Sequence, residues 1–183
     1  MQNFDDDLTR FINALAGKNA TSDFWLIHAS TWGVPFLILM VAAQWWLGSD
    51  RRANRHVLIA TGLSFGLALT FNQVILLFIH RARPYDAGIT RLLIDKTSDP
   101  SFPSDHATAT AAIAAAFIFH GAPSRGMIFA AAATVISFTR VYIGTHYVSD
   151  VVGGAVTGIL AAWLIVRLYE PGTKFDKALT GIL

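Results

Sequence analysis

The chain alternates long apolar runs with short polar breaks, and the spacing of apolar residues within the first run is helical. Residues 5–17 set Leu8, Phe11, Ile12 and Leu15 opposite Asp6, Asp7 and Arg10, which predicts an amphipathic helix lying on a membrane surface. Asn19-Ala20-Thr21-Ser22-Asp23 breaks that pattern and caps a second helix from about Phe24 to Leu47, with Gly33 and Pro35 as a kink. That length spans a bilayer. A basic loop from Ser49 to His56 leads to an apolar run from Val57 to about Ile79, interrupted late by Asn72 and Gln73. From His80 to Pro103 the chain turns polar, and a connection of that length between short-linked helices is usually functional or disordered. Ser104 then reads as the N-cap of an alanine-rich helix ending near Phe119, with Asp105 close to its positive end. After a tight turn from Gly121 to Gly126, Met127 to about Phe138 returns across the membrane. The last span runs from about Tyr147 to Leu168, and its Gly154 and Gly158, four apart, point to close helix packing. A short polar tail follows from Glu170.

The pattern predicts an all-α fold: an integral membrane helical bundle of about five to six spans with an N-terminal amphipathic surface helix. It is expected to be one domain over residues 1–183, with its polar motifs in a core over 57–168. Composition agrees, since 54% of residues are hydrophobic and only 14% charged, where a soluble domain carries about 25% charged. The net charge of +2 is small and dispersed, which argues against nucleic acid as a partner. The absence of cysteine removes disulfides, thiolate chemistry and cysteine-based zinc sites together. The acidic start, Asp5-Asp6-Asp7, is the reverse of a signal peptide's basic region, so no cleaved leader is expected.

Polar residues close to spans carry the chemistry. Arg140, His146 and Asp150 are lodged between two apolar runs, where each costs on the order of 2.5 kcal/mol or more at bilayer depth. With five spans, the loop bearing Arg83 and His106 opens on the same face as the loop bearing Arg140 and His146. Once Arg81, Arg83 and Arg140 are set aside, the other basic residues favour the opposite face. That places the site outside the cytoplasm.

These residues suit phosphoryl transfer. Arg83 and Arg140, with Arg81 as a possible third, form a phosphate clamp, because a guanidinium matches two phosphate oxygens at once. Ser104 at a helix N-terminus adds donors, and Asp105 either binds a substrate group or complements the helix dipole. His146 and Asp150, four apart at a helix start, lie on one face, so the carboxylate can fix the ring's tautomer and free the other nitrogen as nucleophile. His106 would protonate the departing oxygen. The arginines neutralise the charge that magnesium would otherwise meet, so neither a metal nor another cofactor is called for. Two other readings use the same residues: a hydrolase with His106, His146 and Asp150 as metal ligands, and an anion channel or transporter with selecting arginines.

Arg83-Pro84, then Pro103-Ser104-Asp105-His106, then Arg140 with His146 and Asp150, resemble the three signature motifs of the type 2 phosphatidic acid phosphatase superfamily. The resemblance implies a membrane helical bundle, a phosphohistidine mechanism without metal, and the same roles for His106, His146 and Asp150. Three positions depart from the general pattern: Leu76 stands where a lysine is usual, Asp105 where glycine is commoner, and Thr139 where serine is commoner. The short chain and the run from Ser101 to His106 resemble the bacterial undecaprenyl pyrophosphate phosphatase branch. That resemblance implies a polyprenyl diphosphate as substrate, with phosphatidic acid or phosphatidylglycerol phosphate as alternatives. It also implies a multi-pass protein of the bacterial inner (plasma) membrane with its site facing the periplasm or cell exterior.

Overall fold

The computed structural model describes residues 2–47 and 49–182, and over these the protein is all-helical. Seven α-helices follow in order among the described residues: α1 (Gln2–Asn13), α2 (Ala20–Ala43), α3 (Arg51–Leu76), α4 (Asp105–Phe119), α5 (Pro123–Tyr142), α6 (Val148–Leu168) and α7 (Lys174–Thr180). A single 3-10 turn over Gln44–Trp46 extends α2. Among the described residues three stretches are long and apolar enough to cross a membrane: Ala20–Trp46, Arg51–Leu76 and Val148–Leu168. α4, at 15 residues, is apolar but shorter than the roughly 20 residues a span ordinarily needs.

α4 is the centre of the bundle, packing most extensively on α6, then α5, then α3. Its sequence explains this, because alanines 107, 109, 112, 114, 115 and 116 are all buried and let neighbouring backbones approach closely. Gly154 and Gly158 of α6 complete the fit. A Cβ at Gly154 would stand 2.5 Å from the Ser104 carbonyl oxygen and 2.8 Å from Thr108 Oγ1. On the other side Leu37, Ile113, Phe117, Phe129 and Ile136 form the largest apolar core. The outward faces stay apolar: Trp32, Phe36, Leu39, Val156 and Leu160 are all exposed, as a lipid-facing surface requires.

Several boundaries differ from the sequence expectation. The stretch from Arg51 to His56 is helix rather than loop, because Asp50 caps α3 by accepting the Ala53 N–H at 3.0 Å. Arg55 and His56 are buried there, engaged with the C-terminal segment: Arg55 Nη1 donates to the Thr180 carbonyl, and His56 Nδ1 meets Asp176 Oδ1 at 2.8 Å. The expected polar tail is therefore folded. Asp176 also accepts from Tyr169 Oη and the Gly172 N–H, and so fastens α7 beneath α3. α5 runs on to Tyr142, which brings Arg140 into its last turn.

At the other end of the bundle lies α1, which turns its polar side inward. Thr9 and Asn13 are buried, whereas Phe4 and Phe11 are about three-quarters exposed (73% and 75%). Asn13 ties three segments together, donating to the carbonyls of Arg91 and Tyr142 and accepting the Arg91 N–H.

Candidate active site

Three chain segments converge where α1, the 77–104 connection and the α5–α6 turn meet. The turn is tied by one oxygen, since the Arg140 carbonyl accepts Thr145 N–H, His146 N–H and Thr145 Oγ1. Gly144 makes that turn possible. Its φ is +87°, and a Cβ there would collide with the Arg91 carbonyl. His146 is thereby held immediately after the last turn of α5 and is only 3% exposed.

The imidazole is anchored at one nitrogen. Nδ1 lies 2.8 Å from the Ser101 carbonyl oxygen, a pure acceptor, so Nδ1 carries the hydrogen and Nε2 keeps its lone pair. Arg83 Nη1 donates toward that lone pair at 3.3 Å. Asp150 Oδ2 stands 3.6 Å from Nδ1, an ion-pair distance beyond hydrogen-bond reach. This carboxylate is fully buried, and Oδ2 accepts Ser101 Oγ–H at 2.5 Å and Tyr147 N–H at 2.8 Å. Ser101 therefore serves both partners: its carbonyl orients the histidine and its hydroxyl holds the aspartate. Burial keeps the His146 imidazole below its ordinary range; Asp150 opposes that, and the Arg140 and Arg83 charges add to it.

Arg83 is buried, and four of its five N–H donors have partners among the described residues. Nη1 also reaches the Thr145 carbonyl at 2.9 Å, Nε the Asp99 carbonyl at 3.0 Å, and Nη2 the Asp99 carboxylate at 2.7 Å. Burial would raise the Asp99 carboxyl, but a hydrogen bond from Thr97 and the Arg83 charge hold it below the usual range. Arg140, also buried, donates Nη1 to Ser30 Oγ of α2 at 2.7 Å, and its Nε has no hydrogen-bond partner among the described residues. Arg83, Arg140, His106, His146, Asp105 and Leu76 line one cavity of about 210 Å³. That volume is below the roughly 300 Å³ where whole-ligand pockets begin, so it suits a headgroup rather than a lipid tail.

The remaining candidates stand differently. Arg81 faces away from that cavity lining: Nη1 donates to Asp150 Oδ1 at 2.8 Å and Ser149 Oγ, and Nη2 to Asp5 Oδ2 at 2.7 Å, with the guanidinium over the Tyr147 ring. Ser104 is fully buried; its N–H goes to the Asp150 carbonyl, and its hydroxyl neither caps α4 nor has a partner among the described residues. Asp105 accepts from Asn72 Nδ2 at 2.7 Å, and Asn72 also donates to Thr108 Oγ1, which ties α3 to the first turns of α4. Sequence reasoning did not find Ser101, Asp99 or Asp5. Ser101 had a signal, lying at the start of the run that ends in His106, whereas Asp5 had only its place in a four-residue repeat with Thr9 and Asn13.

The PAP2 superfamily profile matches residues 55–174, a span that holds Arg83, His106, Arg140, His146 and Asp150. The undecaprenyl-diphosphatase BcrC of Bacillus subtilis (strain 168) is 29% identical over 164 residues, 90% of this chain and 83% of that protein. The phosphatidylglycerophosphatase B of the same organism is 29% identical over 161 residues, 82% of this chain and 74% of that one. The crystal structure of the transmembrane PAP2-type phosphatidylglycerolphosphate phosphatase from Bacillus subtilis superposes with a TM-score of 0.69 at 22% identity. It covers 95% of this chain and 88% of its own, which establishes the shared fold. With the profile covering well over half of the sequence and the fold matched nearly end to end, this membrane protein belongs to the PAP2 superfamily.

Proposed function

We propose that this lipid phosphatase hydrolyses undecaprenyl diphosphate to undecaprenyl phosphate through a phosphohistidine on His146. One observation carries the chemistry: a buried neutral imidazole whose unprotonated Nε2 points at the Arg83 guanidinium, in a cavity shared with Arg83, Arg140 and His106. Arg83 and Arg140 bind the terminal phosphoryl oxygens, and the Arg140 Nε supplies a donor not otherwise used. Nε2 attacks the terminal phosphorus in line, and the bond to the bridging oxygen breaks. Undecaprenyl phosphate leaves, taking a proton from His106. Asp150 stabilises the positive charge on the phosphorylated ring. Water then attacks that phosphorus while giving a proton to His106, so that the P–N bond breaks, inorganic phosphate is released, and both histidines return to their starting protonation states.

Likeness to the Bacillus undecaprenyl-diphosphatase over most of both chains supports the substrate. Equal identity to phosphatidylglycerophosphatase B favours, as second reading, a glycerolipid phosphate. The cavity size supports a tail lying in lipid while the headgroup enters. In this reading α2 to α6 are five spans, the site faces the periplasm or exterior of a bacterial plasma membrane, and α1 lies at that surface. The test is phosphate release in detergent from undecaprenyl diphosphate, phosphatidic acid and phosphatidylglycerol phosphate, for the protein and for His146→Ala. Release that is fastest from the diphosphate and abolished by the substitution is expected. Preference for a glycerolipid overturns the substrate, and turnover by His146→Ala overturns the nucleophile.

A further inference from the structure

α1 lies outside the segment matched by the family profile, yet its polar stripe reaches the back of the site. Asp5, Thr9 and Asn13, each four residues apart, share one face of the helix. Thr9 Oγ1 accepts the Val148 N–H at 3.1 Å and Asp5 Oδ1 accepts the Ser149 N–H at 3.0 Å. These are the first two amides of α6, which no earlier residue of that helix can satisfy. α1 therefore caps from outside the helix that carries Asp150, and it puts a carboxylate at that helix's positive end.

The second carboxylate oxygen extends further inward. Asp5 Oδ2 accepts from Arg81 Nη2 at 2.7 Å and from Ser149 Oγ–H at 2.5 Å, while Arg81 Nη1 donates to Ser149 Oγ at 2.6 Å and to Asp150 Oδ1 at 2.8 Å. One guanidinium is thus strung between two carboxylates, one on the surface helix and one behind the histidine. Its planar fork and its stacking on Tyr147 at 3.7 Å fix where both must sit.

We propose that Asp5 is a positioning residue: through Arg81 and Ser149 it sets the place and the charge of Asp150, and so the orientation and basicity of His146. The inference rests on the phosphohistidine reading above. Asp5 shares the Arg81 charge, so Asp150 keeps its own negative charge for the imidazole. Without Asp5, Arg81 closes entirely on Asp150 and neutralises it. The charged and titratable groups facing His146 are then Arg83, Arg140 and His106 with a weakened Asp150, and the ring becomes a poorer base. Removal of Arg81 acts in the opposite sense, leaving both carboxylates uncompensated and the ring more basic.

The test uses the full-length protein in detergent with Asp5→Asn, Arg81→Gln, the double variant and Asp5→Glu. Two readouts are taken: kcat and KM for phosphate release across pH, and titration of His146 followed by NMR of 15N-labelled histidine. Asp5→Asn is expected to lower kcat about 10-fold with KM unchanged, the scale seen for residues one shell behind a reacting group. Its His146 titration should move down by roughly 0.5 to 1 unit, and that of Arg81→Gln up by a similar amount. The double variant should be no worse than the poorer single one, because both act on one carboxylate, and Asp5→Glu should restore part of kcat. Thr9→Val, which loosens α1 without touching Arg81, should leave the His146 titration where it is. A His146 titration unmoved by Asp5→Asn, or losses that multiply in the double variant, would reduce Asp5 to a helix anchor and overturn the proposal. Because the titration needs no turnover, it decides the matter even if the protein releases no phosphate from any lipid tested, a result that would sink the functional reading alone.

Discussion

A close backbone approach in the bundle core gives a sharp test of how packing sets the site. In Gly154→Ala, the new methyl would stand 2.5 Å from the Ser104 carbonyl oxygen, 2.8 Å from Thr108 Oγ1 and 3.2 Å from the Thr108 nitrogen. Two of these are backbone atoms in the first turns of α4, so no side-chain rotation relieves them. Ordinary contact begins near 3.5 Å, so α4 and α6 must part by roughly 1 Å. Overpacking of this kind costs about 1–3 kcal/mol, while replacing a mid-helix glycine by alanine returns about 1 kcal/mol, leaving a net loss of about 0–2 kcal/mol. Most of the protein stays folded. The rate is far more exposed, because His106 lies between Ser104 and Thr108, and Asp150 one turn before Gly154. Displacing reacting groups by about 1 Å costs on the order of 10²-fold. Phosphate release measured beside thermal unfolding in detergent should show a modest melting drop with a near hundredfold loss of kcat. A variant with wild-type turnover would refute the claim that this contact sets the spacing of the site.

Two further expectations follow from the same coordinates. Asp99 holds the Arg83 fork at 2.7 Å from a side chain that is 61% exposed, an ion pair worth about 0.2–1 kcal/mol, so Asp99→Asn should lower KM by up to about 5-fold with little change in kcat; a raised KM would mean that Asp99 helps bind substrate. Burial and the two arginines depress His146, so the nucleophile stays unprotonated until the pH falls below about 6.5, and the acid limb of kcat/KM should lie under that value. A limb at or above about 6.5 would show that the imidazole is not depressed.

Helix periodicity made the bundle legible, and three spaced motifs pointed to one site, because an arginine or histidine beside an apolar run is costly unless something uses it. The structure places Arg83, Arg140, His106 and His146 around one cavity. What the sequence hid was direction. In water the apolar stripe of α1 would face the bundle, but here Phe4 and Phe11 face outward while Asp5, Thr9 and Asn13 hold the protein. Nothing in a hydrophobic pattern says which side a bilayer will take. Arg51 to His56 read as loop for a related reason: clustered charge looks solvated until Asp50 caps the helix and the C-terminal segment covers Arg55 and His56. Arg81 sits two residues before Arg83 and has the same chemistry, so its pairing with Asp5 and Asp150 was not legible in the sequence.

A comparison of two buried aspartates shows what separates a fastening from a site. Asp176 accepts His56 Nδ1, Tyr169 Oη and the Gly172 N–H, and Asp150 accepts Ser101 Oγ–H, the Tyr147 N–H and Arg81 Nη1. By hydrogen bonding alone the two are equals, and either carboxylate would be expensive to bury without such donors. The partners of Asp176 join the end of α3 to the C-terminal segment. Those of Asp150 stand behind an imidazole whose far nitrogen meets a guanidinium, with Arg140 Nε left over among the described residues. Leaving a buried donor unpaired costs about 1–3 kcal/mol, more when it is charged. A fold gains nothing from that cost at a fastening, but at a site it becomes the interaction an incoming phosphoryl oxygen completes.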